Sequence, residues 1–441
     1  MTLSTSTKST ALHAIDEHAS ELIALSQSVL NEAESGFREF KTAEKVAAWM
    51  SANGLEPRTG IAITGVVARV DSGKRGPNVA VMGELDGLII PGHKHASPET
   101  GAAHACGHHV QLGNMLGVAA AVLSDGVLEQ LSGSVTFMAV PAEEYVELEY
   151  REGLRVQGKI EFLGGKQEFI RLGEFDDIDM AMMTHTTAEQ GSGVIVSGAH
   201  NGMLAKRVAF RGTASHAGAS PFTGVNALNA ANIGLAAIHA QRETFRDTDY
   251  VRVHPIITRG GDSVNSVPAD VRVETFVRAA SVDAMLDAAG KVDRALRAGA
   301  LAVGGSVEIS TSFGYMPSTY DPVLIGLYRK NAEEVFGSEN LRTAGQRGSS
   351  SDAGDVSQLM PVIHPWVDCA SGRGHGVDYI VDDYRAGVVK AAKAMAGTVI
   401  DLLSDGAAEG KKVVESFSPA MTVPEYLAQL RELRTNRSYT G

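Results

Sequence analysis

The sequence predicts an α/β fold: a mainly parallel sheet with helices on both faces, carrying an inserted ferredoxin-like α+β domain. Three observations predict it. Short β-branched runs alternate with segments of helical period through the first two hundred or so residues and again towards the end, the pattern of a parallel sheet with crossover helices. Between residues 203 and 318 the order becomes strand, helix, strand, strand, helix, strand, which is the ferredoxin-like arrangement. Polar clusters also follow several strands, at the ends where open α/β sheets place their sites.

Residues 12–53 read as helices. "ELIALSQSVL" and "KTAEKVAAWMSANG" place apolar residues at helical spacing, and the second stops at Asn53-Gly54. "TGVVARVD" and "PNVAVMGELDG" are short β-branched strands. "LGNMLGVAAAVLSDG" is a buried helix beginning directly after "HACGHH"; "GSVTFMAVPAEE" is a strand running into two carboxylates, and "IDMAMMTH" a strand ending in His185. The inserted domain starts with the strand "MLAKRVAFRG" and the helix "NALNAANIGLAAIHAQRE". Strands "YVRVHPIITRG" and "ADVRVETFVRA", with period-2 alternation, lead to the helix "VDAMLDAAGKVDRALRAGALAVGG" and the strand "SVEISTSFGY". After Pro322 the α/β texture resumes, and 405–441 is a polar tail. The expected division is 1–202 and 319–441 for one domain, with 203–318 as a second domain inserted into it.

A chain of 441 residues with 44% hydrophobic and 21% charged residues buries a large core without disulfides. The net charge of -13 argues against a nucleic-acid partner, which requires a basic face. Only Cys106 and Cys369 are present, so there is no disulfide framework, and a reducing compartment is expected. The first twenty or so residues lack a signal-peptide h-region, and no apolar run reaches the ~20 residues a bilayer requires. The expectation is a cytoplasmic protein with no membrane partner.

Seven positions carry ligand or base chemistry: Asp86, Cys106, His108, Glu143, Glu144, His185 and His375. Singly, each has an ordinary explanation: a packed thiol, an interior hydrogen-bonded histidine, solvated carboxylates. Together they are harder to dismiss. Glu143-Glu144 follow the apolar run "VTFMAV" and a proline, and burying that pair without a cation costs several kcal/mol. Sulfur, nitrogen and oxygen donors gathered at strand ends suit a first-row transition metal. One Glu of an adjacent pair can bind metal while the other remains a base, the division metal-assisted hydrolysis needs.

The segments "NEAESGFREFKTAEKVAAWM", "MGELDGL", "HACGHH", "PAEE", "SHAGASPFTGVNALNAA", "GGDSVNSVPADVRVETFVRA" and "SSDAGDVSQLMP" occur in the order of the M20 family of metallopeptidases. They most resemble its amidohydrolase branch, which includes aminoacylase-like enzymes, indole-acetyl-amino-acid hydrolases and aminobenzoyl-glutamate hydrolase. The resemblance runs from residue 29 to residue 400. It implies two divalent ions, Mn2+ or Zn2+, held by Cys106, His108, Glu144, His185 and His375, with Cys106 as a bridging thiolate and Glu143 as general base. It also implies that His216 stabilises the oxyanion in the partner's site, and that Asn265 and Arg278 contact substrate. Asp86 keeps the family's aspartate and orients His108.

Three residues depart from the family pattern: Glu84 and His109 stand where it has aspartates, and Gly87 where it has alanine. His109 is a candidate substrate contact, extra ligand or support for a ligand. Forty residues separate Glu144 from His185, more than the family uses, and the added 145–169 segment passes near the pocket. Trp366 and Tyr145 are candidate ring contacts; His93 and His95 read as solvated loop residues. The expected function is hydrolysis of the amide of an N-acyl or N-aroyl amino acid or small peptide-like substrate by a homodimer or higher homo-oligomer. The rival is hydrolytic release of ammonia from an aromatic amine such as a nitro-substituted aminobenzoate. A non-catalytic binding protein on the same fold is the third reading.

Overall fold

The computed structural model describes residues 3–191 and 193–441. The chain folds into two compact units. One takes the chain to Gly198, Thr319–Gly345 and Asp355–Ala420; the other takes Ala199–Ser318, Gln346–Gly354 and Met421–Gly441.

In the first unit a six-stranded sheet runs in the order Arg58–Ile61, Gly65–Asp71, Ser134–Val140, Asn78–Glu84, Met180–Met182, Val362–Ile363. The last three pairings are parallel and the first two antiparallel. Strands Asn78–Glu84 and Ser134–Val140 are buried at every residue, which is why they read as continuous apolar runs without alternation. They lie in register from Asn78↔Ser134 to Glu84↔Val140, so Glu84 and the Glu143-Glu144 pair leave the sheet at the same end. The helix His108–Leu123 is apolar on all sides and almost wholly buried. It packs against strand Asn78–Glu84 and helices Leu3–Glu17, Ala19–Leu30 and Ala391–Leu403. The expected strand ending at His185 stops earlier, at Met182; His185 opens a separate strand, His185–Thr187, in a small sheet with Trp366–Asp368.

The second unit carries helices Ala227–Ala240 and Val282–Val303 with an antiparallel sheet ordered Arg252–Arg259, Asp270–Ala279, Gly202–Arg211, Ser306–Tyr315, Thr435–Thr440. The first four strands have ferredoxin-like order. The fifth corrects the sequence-based division, which assigns 319–441 wholly to the first unit. Thr435–Thr440 pairs with Ser306–Tyr315 from Ser306↔Thr440 to Thr311↔Thr435. Its mostly exposed residues give no period-2 hydrophobic signal to read. Among the described residues, no helix is long and apolar enough to cross a membrane.

Candidate metal centre

Four breaks in regular structure in the first unit gather the donors. Strand Asn78–Glu84 ends and leads to Asp86, which is fully buried. Cys106 precedes Gly107, whose φ of 81° and the 2.2 Å separation between an added Cβ and Thr186 Oγ1 require glycine there. His108 then opens its helix. After strand Ser134–Val140, Ala142 adopts φ 55°, an uncommon conformation that turns the chain to present Glu143 and Glu144. It is pinned by its N–H donating to Glu39 Oε1 at 2.8 Å and by its carbonyl accepting from Arg151 Nη1 at 3.2 Å. His375, also left-handed at φ 62°, donates its backbone N–H to Ala105 O at 3.0 Å.

Two groups of ligand atoms result, each within 4.8 Å of one another: Cys106, His108 and His185, and Cys106, Glu144 and His375. They share Cys106. Both buried imidazoles have their tautomer fixed. His108 Nδ1 donates to Asp86 O at 2.8 Å and His185 Nδ1 donates to Thr186 O at 2.8 Å, so each turns Nε2 inward. A backbone partner on the far nitrogen is the usual support of a metal-binding histidine. His108 Nε2 and Glu144 Oε1 are buried and make no well-aligned hydrogen bond; their neighbours are themselves ligand-type groups, Glu84 Oε2 at 3.1 Å and His375 Nε2 at 3.4 Å, an arrangement that suits a cation. This donor set fits a pair of divalent ions.

The electrostatics agree. Burial pushes the Cys106 thiol well above its ordinary range, and Glu144 adds to the rise; a neighbouring cation reverses that and yields the thiolate. Burial lowers His185 to about 4, keeping its imidazole neutral. Burial also acts downward on His108, but Glu84 and Cys106 outweigh it and raise it well above its usual value, so metal binding there releases a proton. Asp86 joins the two halves: Oδ2 accepts from Glu144 N–H at 2.8 Å, and Oδ1 lies 3.3 Å from His108 Nδ1. Glu143 Oε2 is 3.9 Å from His108 Nε2, beside the ligand groups.

The added segment after Glu144 supports the site from behind. Arg151 is fully buried; Nη1 donates to Ala142 O and Leu163 O, and Nη2 donates to Glu144 O. Lys166, equally buried, lies 2.6 Å from Glu84 Oε1. Neither residue is recognisable from sequence, because a single cation in a polar stretch looks the same whether it is solvated or buried. Trp366 stacks on His185 with ring centroids 4.4 Å apart, and Tyr145 is 5% exposed. Tyr145 is packed within the protein, whereas Trp366 is half-buried beside His185.

His109, expected as a substrate contact, an extra ligand or support for a ligand, lies outside the ligand groups. Next to His108 on a helix it points about 100° away; it is 1% exposed, and Nε2 lies 3.1 Å from Tyr384 Oη. His93 is also not solvated: it is buried, with Nε2 donating to Tyr379 O at 2.7 Å and Nδ1 accepting from His95 N–H at 3.2 Å. In the second unit, His216 is exposed on a loop that pairs with Ser266, and Ala217 N–H donates to Asn265 O at 2.9 Å. His216 and Asn265 therefore share a loop cluster. Arg278 lies towards the far end of strand Asp270–Ala279, its guanidinium carbon 5.1 Å from the centre of the Phe276 ring.

Residues 80–401 match the model of peptidase family M20/M25/M40. The chain is 29% identical to a mouse Xaa-Arg dipeptidase over 90% of its own length and 89% of that protein. It is 28% identical to one component of the p-aminobenzoyl-glutamate hydrolase of Escherichia coli, over 68% of this chain and 66% of that one. An indole-3-acetyl-aspartic acid hydrolase from Enterobacter agglomerans is also 28% identical, over 65% and 64%. Among solved structures, a dinuclear metal-binding M20 peptidase from Bacillus subtilis superposes with a TM-score of 0.64 at 18% identity, covering 88% of this chain and 99% of that one. The family match spans most of the chain and includes the strand ends that bear the clustered donors; the chain belongs to peptidase family M20/M25/M40, in its amidohydrolase branch, and is a metal-dependent hydrolase of amide or peptide C–N bonds.

Proposed function

We propose that the chain hydrolyses the amide of an N-acyl or N-aroyl amino acid or a small dipeptide, using two divalent ions, Mn2+ or Zn2+. The observation that carries this is the pair of ligand groups meeting at Cys106, with Glu143 alongside. His108 and His185 would hold one ion and Glu144 and His375 the other, with Cys106, as thiolate, common to both groups. Bound ions supply Lewis-acid polarisation of the scissile carbonyl. Glu143 takes the proton of the attacking water and returns it to the leaving nitrogen. Asp86 positions His108 and Glu144 and does not itself touch substrate. The names of the relatives support the substrate class: each cleaves an amino acid from an acyl, aroyl or aminoacyl partner.

The second unit serves dimerisation. His216 Nδ1 accepts from Gly218 and Ala219 N–H at 3.1 and 3.0 Å, so Nε2 carries the proton of the neutral ring. That is the tautomer an oxyanion donor to the partner's site requires. Asn265 and Arg278 contact substrate, and the two free thiols support a cytoplasmic location.

The test combines elemental analysis of the purified protein with a hydrolysis panel of N-acetyl, N-benzoyl and indole-acetyl amino acids, dipeptides and aminobenzoates. Two ions per chain, and amino acid released from the amides, are expected. Ammonia released from the aminobenzoates instead would transfer the assignment to the rival reading. In a Glu143→Gln variant, metal content should hold while kcat falls by about 10² or more, the scale of a lost general base; activity close to the parent would remove Glu143 from that role.

A further inference from the structure

Strand Asn78–Glu84 ends on a carboxylate that the ligand set above does not use. Glu84 is 1% exposed, and its two oxygens face different ways. Oε1 lies against the Lys166 ammonium at 2.6 Å. Oε2 accepts from Gln111 Nε2 at 2.8 Å and lies 3.1 Å from His108 Nε2. Gln111 also accepts from the Glu84 backbone N–H at 3.1 Å, so the side chain is held at both ends. Glu84, His108 and Glu143 bring ligand atoms within 4.8 Å of one another, a third group beside the two that share Cys106.

The decisive contact is the one between Glu84 Oε2 and His108 Nε2. Asp86 O takes the Nδ1 proton, which turns Nε2 towards Glu84 Oε2, 3.1 Å away. Glu84 therefore places an oxygen donor beside the same ring nitrogen that Cys106 and His185 approach, within reach of one ion.

We propose that Glu84 is a further metal ligand, its Oε2 joining His108 on one ion while Lys166 holds Oε1 and limits the carboxylate to one-oxygen coordination. This rests on the two-ion reading of the site. Lys166 is then a positioning residue: it neutralises a carboxylate that a soft thiolate site would otherwise leave in charge excess, and it fixes which oxygen faces inward. An added hard oxygen donor favours Mn2+ at this position more than it favours Zn2+.

Metal binding tests this without reference to turnover. Metal-free full-length protein is titrated with Mn2+, followed by electron paramagnetic resonance of the free ion, and with Zn2+ against a chromophoric chelator. The proteins are the parent, Glu84→Gln, the double variant Glu84→Gln/Lys166→Met, and Glu84→Asp. The double variant also removes the ammonium whose contact with the Glu84 carboxylate is lost in Glu84→Gln. Glu84→Asp keeps the charge opposite Lys166 and draws the oxygen back by one methylene, so it reports even where the others fail to fold. One of the two Mn2+ affinities should fall by about tenfold or more, the other should hold, and the Zn2+ loss should be smaller. Parent-like affinities for both ions in the folded variants would overturn the assignment. A parent that binds no ions would instead bring down the two-ion reading, before any variant is compared.

Discussion

Cys106 Sγ lies 3.3 Å from His185 Nε2, although 79 positions separate the two residues. The same sulfur belongs to the group formed by Glu144 and His375. Under the proposed two-ion reading, a thiolate common to both groups would make the two ions depend on each other. Cys106→Ser should therefore reduce metal content from two ions to one or none, read by elemental analysis after dialysis. Cys369→Ser, at a buried thiol outside all three ligand groups, should leave it unchanged. Two ions retained in Cys106→Ser would return Cys106 to a packing role.

Arg151 supplies donors to the carbonyls of Ala142, Leu163 and Glu144. Arg151→Met withdraws all three at once in a region closed to water. Each buried group left unpaired costs about 1–3 kcal/mol, so urea unfolding should show a loss of about 3 kcal/mol or more. Arg151→Lys should recover only part of it, because a point ammonium cannot reproduce the planar fork. Equal stability of all three proteins would contradict the described clamp.

Glu39 gives the metal-free protein a pH signature. Burial raises its carboxyl to about 7, with Asp86 adding to the rise and hydrogen bonds from Thr64 and Ala142 opposing it. The folded state thus holds this proton more tightly than the unfolded chain, whose carboxyl titrates near 4.5. The stabilisation is complete below about 4.5 and is lost as pH rises towards about 7. Glu39→Gln keeps the shape and removes the titration. The difference in stability between parent and variant should change across that window and be flat above it; a difference independent of pH contradicts the raised carboxyl.

Cross-subunit catalysis has a direct test in mixed dimers. His216→Ala and Glu143→Gln homodimers should each be nearly inactive, the first through loss of a donor worth about 10²–10³ in kcat. After exchange of protomers, verified by mass, about half the dimers are mixed and each mixed dimer has one intact site, so about a quarter of parent activity should return if the sites are shared across a two-fold axis. Exchange without recovery would make His216 a loop histidine.

The core of the centre was legible because its donors sit close together in sequence or end apolar strands. Cys106 and His108 are two residues apart, and Glu143-Glu144 follow a strand buried at every position. Other parts were hidden for separate physical reasons. His109 shares the cluster's sequence, but helix geometry turns it towards Tyr384. Lys166 and Arg151 owe their roles to burial, which composition does not encode. Thr435–Thr440 is an edge strand with its side chains largely in water, so it lacks the alternation that identified Asp270–Ala279.

That last strand also sets a timetable. Chains are made from the N-terminus, and domains fold largely as they emerge, yet the second unit needs Met421–Gly441 to be complete. Until Thr435–Thr440 is made, strand Ser306–Tyr315 presents its unpaired backbone along one side, a template open to any extended segment nearby. The interval between the making of Tyr315 and the arrival of Thr440 is thus when the nascent protein is most exposed to mispairing. A ribosome stalled after the strand has emerged and before Thr435–Thr440 is made would hold it in that vulnerable state.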